Sequence, residues 1–421
     1  MDQTASLPVT ELGEERSPAP WRQAYAEVAS SELTRDLNRD VVLERLRALQ
    51  PISRVDLARS SGLQPSTVSS IVERLLEERW IRESAMIKTA RGRRPTLLSL
   101  NDDMVFLVAD IRPLQAIVAV VDLNGRFLER QVVPLSREPG RSVELLACAM
   151  QRLRLLHGEK TFQGVGISLP GRVDASTNQL VFAPNLPWPP YDIGKRLSEL
   201  LGLQVQLENA ANACLLSELW FGRIVGIRNA MLVTVSEGVG AAILADGRLI
   251  SGEQGLAGEF GHIILDPRGP ECGCGARGCW ETLASSRAAM RYYRELAAHA
   301  PGTTEACGKT MVELCALAVD GDPAAVTALR RQAQAIGRGL HLLNAVFSPE
   351  LILLSGDFTA LYDLYREILE AECRAGAMDG VGPRLVSIGD GDMPRLRGAA
   401  AVVLQRHSGY YRASHMRVEQ R

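Results

Sequence analysis

One histidine and three cysteines crowd into the string GEFGHIILDPRGPECGCGARGCWE, residues 258–281: His262, Cys272, Cys274 and Cys279. The spacing His-x9-Cys-x-Cys-x4-Cys offers one imidazole and three thiolates, a complete tetrahedral shell for a structural Zn²⁺. Gly273, Gly275 and Gly278 lie between the cysteines, where a tight knuckle calls for backbone freedom. Two carboxylates, Glu259 and Glu281, flank the cluster, and a metal that fixed the loop would hold them facing a ligand. The competing reading is three free thiols in a glycine-rich loop. A disulfide suits the Cys-x-Cys geometry less well than a metal does.

Thiolate ligation needs reduced cysteines, and eight cysteines in 421 residues are too few for a disulfide scaffold, so the cytoplasm is the expected compartment. The N-terminal MDQTASLPVTELGEER lacks the basic start and apolar core of a secretory signal. No apolar run reaches the length of a membrane span. A chain this long exceeds what one core supports, which predicts two or three domains. Its charge is uneven: residues 35–100 hold thirteen Lys/Arg against eight Asp/Glu, although the whole chain is net −2. A basic module on an acidic body fits a nucleic-acid reader joined to a small-molecule sensor.

Residues 1–34 show no sustained period and read as a mobile arm, with a short helix near Trp21 to Ser30. Residues 35–100 read as a winged helix-turn-helix. Val41, Val42, Leu46 and Leu49 recur at helical spacing up to Pro51. Ser53 caps RVDLARSS with Asp56 in a capping-box-like place, Gly62 ends it, and Pro65 opens PSTVSSIVERLLEE after a four-residue turn. That second helix presents Gln64, Ser66, Thr67, Ser69 and Ser70 to base edges and phosphates. The following WIRESAMIKTARGRRPTLLSLN alternates as two strands around a basic tip, Lys88, Arg91, Arg93 and Arg94, suited to phosphates or the minor groove. A helical hairpin with a solvated basic strand is the plainer alternative.

Beyond Leu100 the chain turns to strands. VFLVADI, QAIVAVVDL and RFLERQVVPL form a three-strand run with an Asn124-Gly125 hairpin, followed by helices and the strands GVGISLP and LQVQLEN. A second round begins at Asn229 with MLVTVS and AAILADGRLIS, and closes on ELILLSG, RLVSIG and a last helix from Pro394. The repeat predicts two mixed α/β lobes around a cleft: residues 101–225 plus 395–421, and residues 226–394 with the zinc loop.

Four features together resemble the ROK family of repressors, open reading frames and sugar kinases. They are the segment Glu259 to Glu281, the strand-end Pro170-Gly171, the string APNLPW over 183–188, and the helix-turn-helix in front. The resemblance implies an actin-like, ribonuclease-H-like pair of lobes that closes on a sugar, with structural zinc at His262, Cys272, Cys274 and Cys279. It also implies sugar contacts at Asn185, Asn209, Glu259, His262 and Glu281. Each pyranose hydroxyl is both donor and acceptor, and carboxylates and amides satisfy such groups. A buried partner left unpaired costs ~1–3 kcal/mol, which is how such a pocket separates one sugar from another. At His262 the metal role takes precedence, because three cysteines need a fourth partner. Taken singly, Asn185 and Asn209 read equally well as turn or cap residues.

The same resemblance separates kinase from regulator. The family's kinases carry an aspartate after the asparagine matched by Asn209, and this chain has Ala210, whose methyl cannot accept a proton. Glu208 is adjacent, but neighbours at a strand end face opposite sides. Where the kinases read Asp-Ile-Gly-Gly-Thr, this chain reads Asp110-Ile111-Arg112-Pro113-Leu114, losing backbone amides that approach phosphate. The second loop, Gly-Thr-Gly-x-Gly-Gly-Gly in the kinases, becomes Ser236-Glu237-Gly238-Val239-Gly240-Ala241-Ala242. The third, SGDF at 355–358, keeps one glycine. The expectation is a non-enzyme: a sugar-responsive repressor of carbohydrate uptake or catabolism genes that binds operator DNA as a homodimer or higher symmetric oligomer. The enzymatic alternative is an ATP-dependent sugar kinase with an appended DNA-binding domain. A third reading is a sensor of a protein partner, such as a transport component.

Overall fold

Helix α1 (Ser31–Leu49) starts well before Asn38, where the apolar period begins, and takes in the end of the stretch read as an arm. Its first half shows no apolar stripe because polar contacts hold it: Arg39 pairs with Glu78 at 2.7 Å and stands 5.3 Å over the Trp80 ring. The computed structural model describes residues 31–84, 96–174, 177–183, 186, 188–189, 191–222, 224, 226–298, 309–375, 382–389 and 393–406. The helix expected near Trp21 to Ser30 lies outside them.

Strand β1 (Ile52–Ser53) leads into α2 (Arg54–Ser61), which Ser53 caps by accepting from the Asp56 amide at 3.2 Å and donating to Asp56 Oδ2 at 2.7 Å. Gly62, at φ 71°, ends α2, and the turn to α3 (Pro65–Glu77) is residues 62–64, one shorter than expected. Strands β2 (Ile81–Ser84) and β3 (Leu97–Leu100) are antiparallel, and β1 adds to the free side of β3. Residues 85–95, with Lys88, Arg91, Arg93 and Arg94, lie outside the described residues.

The first large sheet comprises β4 (Met104–Ile111), β5 (Gln115–Asp122), β6 (Phe127–Pro134), β7 (Thr161–Leu169) and β10 (Val205–Asn209), in the order β10-β7-β4-β5-β6. A small hairpin, β8 (Arg172–Asp174) with β9 (Gln179–Phe182), stands beside it. The second sheet comprises β11 (Ala230–Val235), β12 (Val239–Ala245), β13 (Arg248–Leu249), β14 (Leu351–Ser355) and β15 (Arg384–Ser387), ordered β13-β12-β11-β14-β15. Both sheets repeat one plan, an antiparallel meander extended by parallel strands. β4 and β11 are buried along their whole length, as strands covered on both faces must be.

Helices cover the sheets: α4 (Pro139–Leu156), α5 (Ile193–Leu201), α6 (Ala210–Phe221), α7 (Trp280–Ala284), α8 (Ser286–Ala297), α9 (Met311–Val319), α10 (Pro323–Phe347), α11 (Tyr362–Arg374) and α12 (Met393–Gln405). None of the described helices is long and apolar enough to cross a membrane. α12 returns to the first sheet, packing on β4, β7 and α6. One apolar cluster joins the front module to that sheet, from Leu46, Leu57, Val68 and Leu75 through Phe106 and Val121 to Leu396 and Val403.

Gly398 places α12 so close to α6 that a Cβ would stand 1.9 Å from the Ala213 carbonyl oxygen. In an open helix Gly→Ala would gain about 1 kcal/mol. Here the added methyl overlaps backbone, so Gly398→Ala is expected to lose about 1–3 kcal/mol, read from the urea midpoint. A midpoint at or above wild type would contradict the close packing.

Candidate ligand and metal site

The cysteine loop is a knuckle built from backbone hydrogen bonds. Ile264 bridges Cys279 and Glu271 bridges Arg277, and the Cys272 amide donates to Ala276 O at 2.8 Å while the Gly278 amide donates to Pro270 O at 2.7 Å. Gly278, at φ 66°, could carry no side chain, because a Cβ would fall 1.5 Å from the Asp266 oxygen. Gly275 also has positive φ, whereas Gly273 meets open space, so the tight turn requires only two of the three glycines.

The knuckle brings His262, Cys272, Cys274 and Cys279 together with all four donor atoms within 4.8 Å of one another. The Cys272 Sγ–His262 Nδ1 edge is 3.5 Å and the Cys274 Sγ–Cys279 Sγ edge 3.6 Å. Metal bonds of about 2.3 Å to sulfur and about 2.0–2.1 Å to nitrogen give tetrahedral edges of about 3.8 and 3.6 Å. These two edges already have that size, and the remaining edges are no longer than 4.8 Å. Donor chemistry and geometry therefore fit a zinc-sized ion. Burial pushes the Cys272 and Cys279 thiols up, while a backbone amide at Ala276 pulls Cys274 down. A cation between them would favour all three thiolates.

Two carboxylates flank the imidazole. Its Nε2 faces Glu259 Oε2 at 3.6 Å and its Nδ1 faces Glu281 Oε1 at 3.7 Å. Glu281 Oε1 also accepts from Cys272 Sγ at 3.1 Å. The base of the loop is anchored by Trp280, 1% exposed, whose Nε1 donates to Ala335 O of α10 at 2.9 Å.

In the first lobe, Asn209 caps α6: its Oδ1 accepts from the amides of Ala211 at 2.8 Å and Asn212 at 3.5 Å, and its Nδ2 donates to Gly171 O at 2.6 Å. Glu208 Oε1 is taken by the Asn209 amide and by Asn212 Nδ2, each at 2.9 Å, and burial raises its pKa. β8 ties this corner to the opposite loop. It packs on β10 and on the turn Glu253–Gly255, where a Cβ on Gly255 would stand 2.1 Å from Val173 O. Glu259, His262 and Glu281 thus share one cluster with the cysteines, and Asn209 stands in the first lobe as a helix cap. Asn185 lies outside the described residues. Arg172, unnoticed in the sequence, follows Pro170-Gly171 and has a buried Nε with no hydrogen-bond partner among the described residues.

The positions matching the kinase loops are occupied by side chains. Asp110, fully buried, receives Arg112 Nε at 2.9 Å and Ser168 Oγ at 3.3 Å, with Arg395 at 3.9 Å. Ala210 is the first residue of α6. Glu237 points outward, its side chain 72% exposed. At the front of the molecule, Gln64, Ser66 and Ser70 are exposed and Thr67 and Ser69 half-buried at the start of α3. A groove beside Ser66, Thr67 and Ser70 is also lined by Arg35 and Asn38 of α1. Those two residues were missed because the polar start of α1 carries no apolar period.

Residues 113–406 match the sequence profile of the ROK family. The chain is 27% identical to the xylose repressor of Bacillus subtilis over 360 residues, 85% of this chain and 91% of that protein. It is 33% identical to the glucokinase of Streptomyces coelicolor over 264 residues, 61% of this chain and 82% of that protein. A solved ROK-family transcriptional regulator, described as a homolog of the E. coli MLC protein, superposes with a TM-score of 0.78 at 25% identity, covering 90% of this chain and 98% of that one.

The knuckle geometry separates two alanine substitutions. Gly273→Ala is expected to change stability by no more than about 0.5 kcal/mol, and Gly278→Ala to cost more than about 1 kcal/mol. Thermal melts of the two variants check this, and equal melting temperatures would count against the close turn.

Proposed function

Because the chain belongs to the ROK family, we propose that it is a sugar-responsive, DNA-binding transcriptional repressor of carbohydrate uptake or catabolism genes without kinase activity. The observation that carries this reading is where the similarities extend. The matches to the repressor and to the solved regulator take in most of the chain, whereas the glucokinase match leaves out well over a third of it. The front module, helix, short turn, helix and strand pair, supports a winged helix-turn-helix with Gln64, Ser66, Thr67, Ser69 and Ser70 on its reading helix. Lys88, Arg91, Arg93 and Arg94 are proposed to take phosphates from the wing.

In the cleft, the sugar is proposed to meet Glu259 and Glu281 from one lobe and Asn185 and Asn209 from the other. Asn209 keeps one amide hydrogen for a hydroxyl beyond the one given to Gly171. His262 would hold the metal through Nδ1 and turn Nε2 toward Glu259, an outer partner that orients the ring. A Zn²⁺ held by His262, Cys272, Cys274 and Cys279 would supply a rigid clamp for the loop. Sugar that binds one arrangement of the lobes better than another shifts the population toward it, and DNA affinity follows. The assembly on DNA is proposed to be a symmetric homodimer or higher oligomer, matching a near-palindromic operator.

Kinase chemistry is disfavoured by the side chains themselves. Arg112 neutralises Asp110, Pro113 offers no amide to a phosphate, and Ala210 provides no base. The similarity to glucokinase keeps this second reading open to one test: ADP release from ATP with D-glucose, D-xylose and N-acetyl-D-glucosamine. Turnover above background would overturn the non-enzymatic reading.

Three outcomes are expected of the repressor reading. Purified protein carries about one zinc per chain by elemental analysis, and Cys274→Ser loses both the zinc and the sugar response while the front module stays folded. Glu259→Ala weakens the affinity for the sugar by about 1.5–3 kcal/mol in titration calorimetry and leaves sugar-free DNA binding intact. DNA binding indifferent to every sugar tried would end the sensing half of the proposal.

A further inference from the structure

Helix α6 has its two ends in different sites. Asn209 caps its first turn and donates to Gly171 O, at the corner proposed above to line the sugar cleft. Its twelve residues span about 18 Å. At the far end the Leu219 carbonyl accepts Arg47 Nη2 at 3.3 Å, and the same guanidinium stands 5.5 Å over the Trp220 ring. Arg47 belongs to the last turn of α1, the helix that enters the front module.

Further contacts converge on that end. Gln50 Nε2 donates to Asn124 Oδ1 at 2.8 Å, and its Oε1 accepts the Leu100 amide at 2.8 Å. The Phe221 ring fills the space over Gly125, where a Cβ would come within 2.8 Å. Arg397 Nε of α12 donates to Gly125 O at 3.0 Å. The front module is therefore seated on the end of α6 and on the β5–β6 turn.

The body of α6 touches both lobes. Ala211, Cys214 and Leu215 pack with Leu232, Ala242, Leu244 and Leu353 of the second sheet. Leu216 packs with Ala401 and Val402 of α12, on the side of the first sheet. A displacement of one lobe against the other must act on this helix, and a packed helix passes displacement along its axis. Arg47 Nη1 is buried with no hydrogen-bond partner among the described residues. An unpaired buried N–H costs free energy, so this seating is held against a penalty that a second arrangement can relieve.

We propose that α6 carries the state of the cleft to the DNA-reading module, with Arg47 and Trp220 as positioning residues at its output end. The proposal rests on reading the cleft as a sugar site. It requires that cutting the contact at Arg47 or Trp220 preserve both binding events and remove the link between them.

The test uses full-length protein, a DNA duplex selected by the wild type from a random library, and D-xylose, D-glucose and N-acetyl-D-glucosamine as probes. Arg47→Met keeps the aliphatic stem and removes the guanidinium; Trp220→Leu removes the ring. Arg154→Met serves as control, since Arg154 makes a like bond to a helix-end carbonyl, Leu201 O at 3.0 Å, away from this junction. In wild type, sugar is expected to change DNA affinity by about 5–150-fold. Both junction variants are expected to bind the same sugar with unchanged affinity, to hold the duplex, and to respond to sugar less than about twofold. Hydrogen exchange in α1 should respond to sugar in wild type and in the control alone. Junction variants that respond as wild type does would overturn the lever, as would a control that loses its response equally. A wild type indifferent to all three sugars would overturn the cleft reading itself, and the lever with it.

Discussion

Backbone meets backbone where α12 lies between β7 and α6. Gly166 of β7 leaves room for the Ala399 carbonyl, and Gly398 of α12 leaves room for the Ala213 carbonyl; a methyl group at either position would enter the other chain segment. Much else hangs on this contact. It brings Leu396 and Val403 onto Phe106 and Val121, and the same cluster runs on through Leu46 and Leu75 into the front module. It also fixes α6 between the two sheets, and so fixes the cap where Asn209 stands.

The cysteine loop and the Asn209 corner are built by different means. The second lobe supplies a knuckle whose shape comes from short backbone hydrogen bonds and whose carboxylates converge on one imidazole. The first lobe supplies a helix cap, with an asparagine already engaged on two of its polar atoms. At the end of β4, Asp110 is buried against Arg112. A charge buried beside its partner is stable only while both stay, so this corner is committed to the pair.

The parts of the fold carried by local chemistry were legible in the sequence. Ser53, Gly62 and Pro65 bound α2 and α3 where caps and breakers said they would, and the Asn124-Gly125 hairpin joins β5 to β6. The doubled meander followed from repeated apolar runs. Less visible was α1 before Asn38, held by an ion pair and a ring contact that leave no period. The β8–β9 hairpin was missed because its strands are short and half-exposed, and α7 because five residues cannot show a helical repeat. At the site, spacing was enough to group the four donor residues. Spacing could not show that Asn209 spends its side-chain oxygen on a cap, or that the Arg172 Nε is buried, since both depend on strands far apart in sequence.

The return of α12 to the first sheet sets an order of assembly. A nascent chain emerges from its N-terminus, and domains tend to fold as they appear. Here the front module and the first sheet share a cluster whose last members, Leu396 to Leu404, are made only after the whole second lobe. The cluster under the front module is therefore completed late, once the second lobe has been synthesised. Unfinished chains therefore lack the α12 side chains on which the front module and the first sheet both rest.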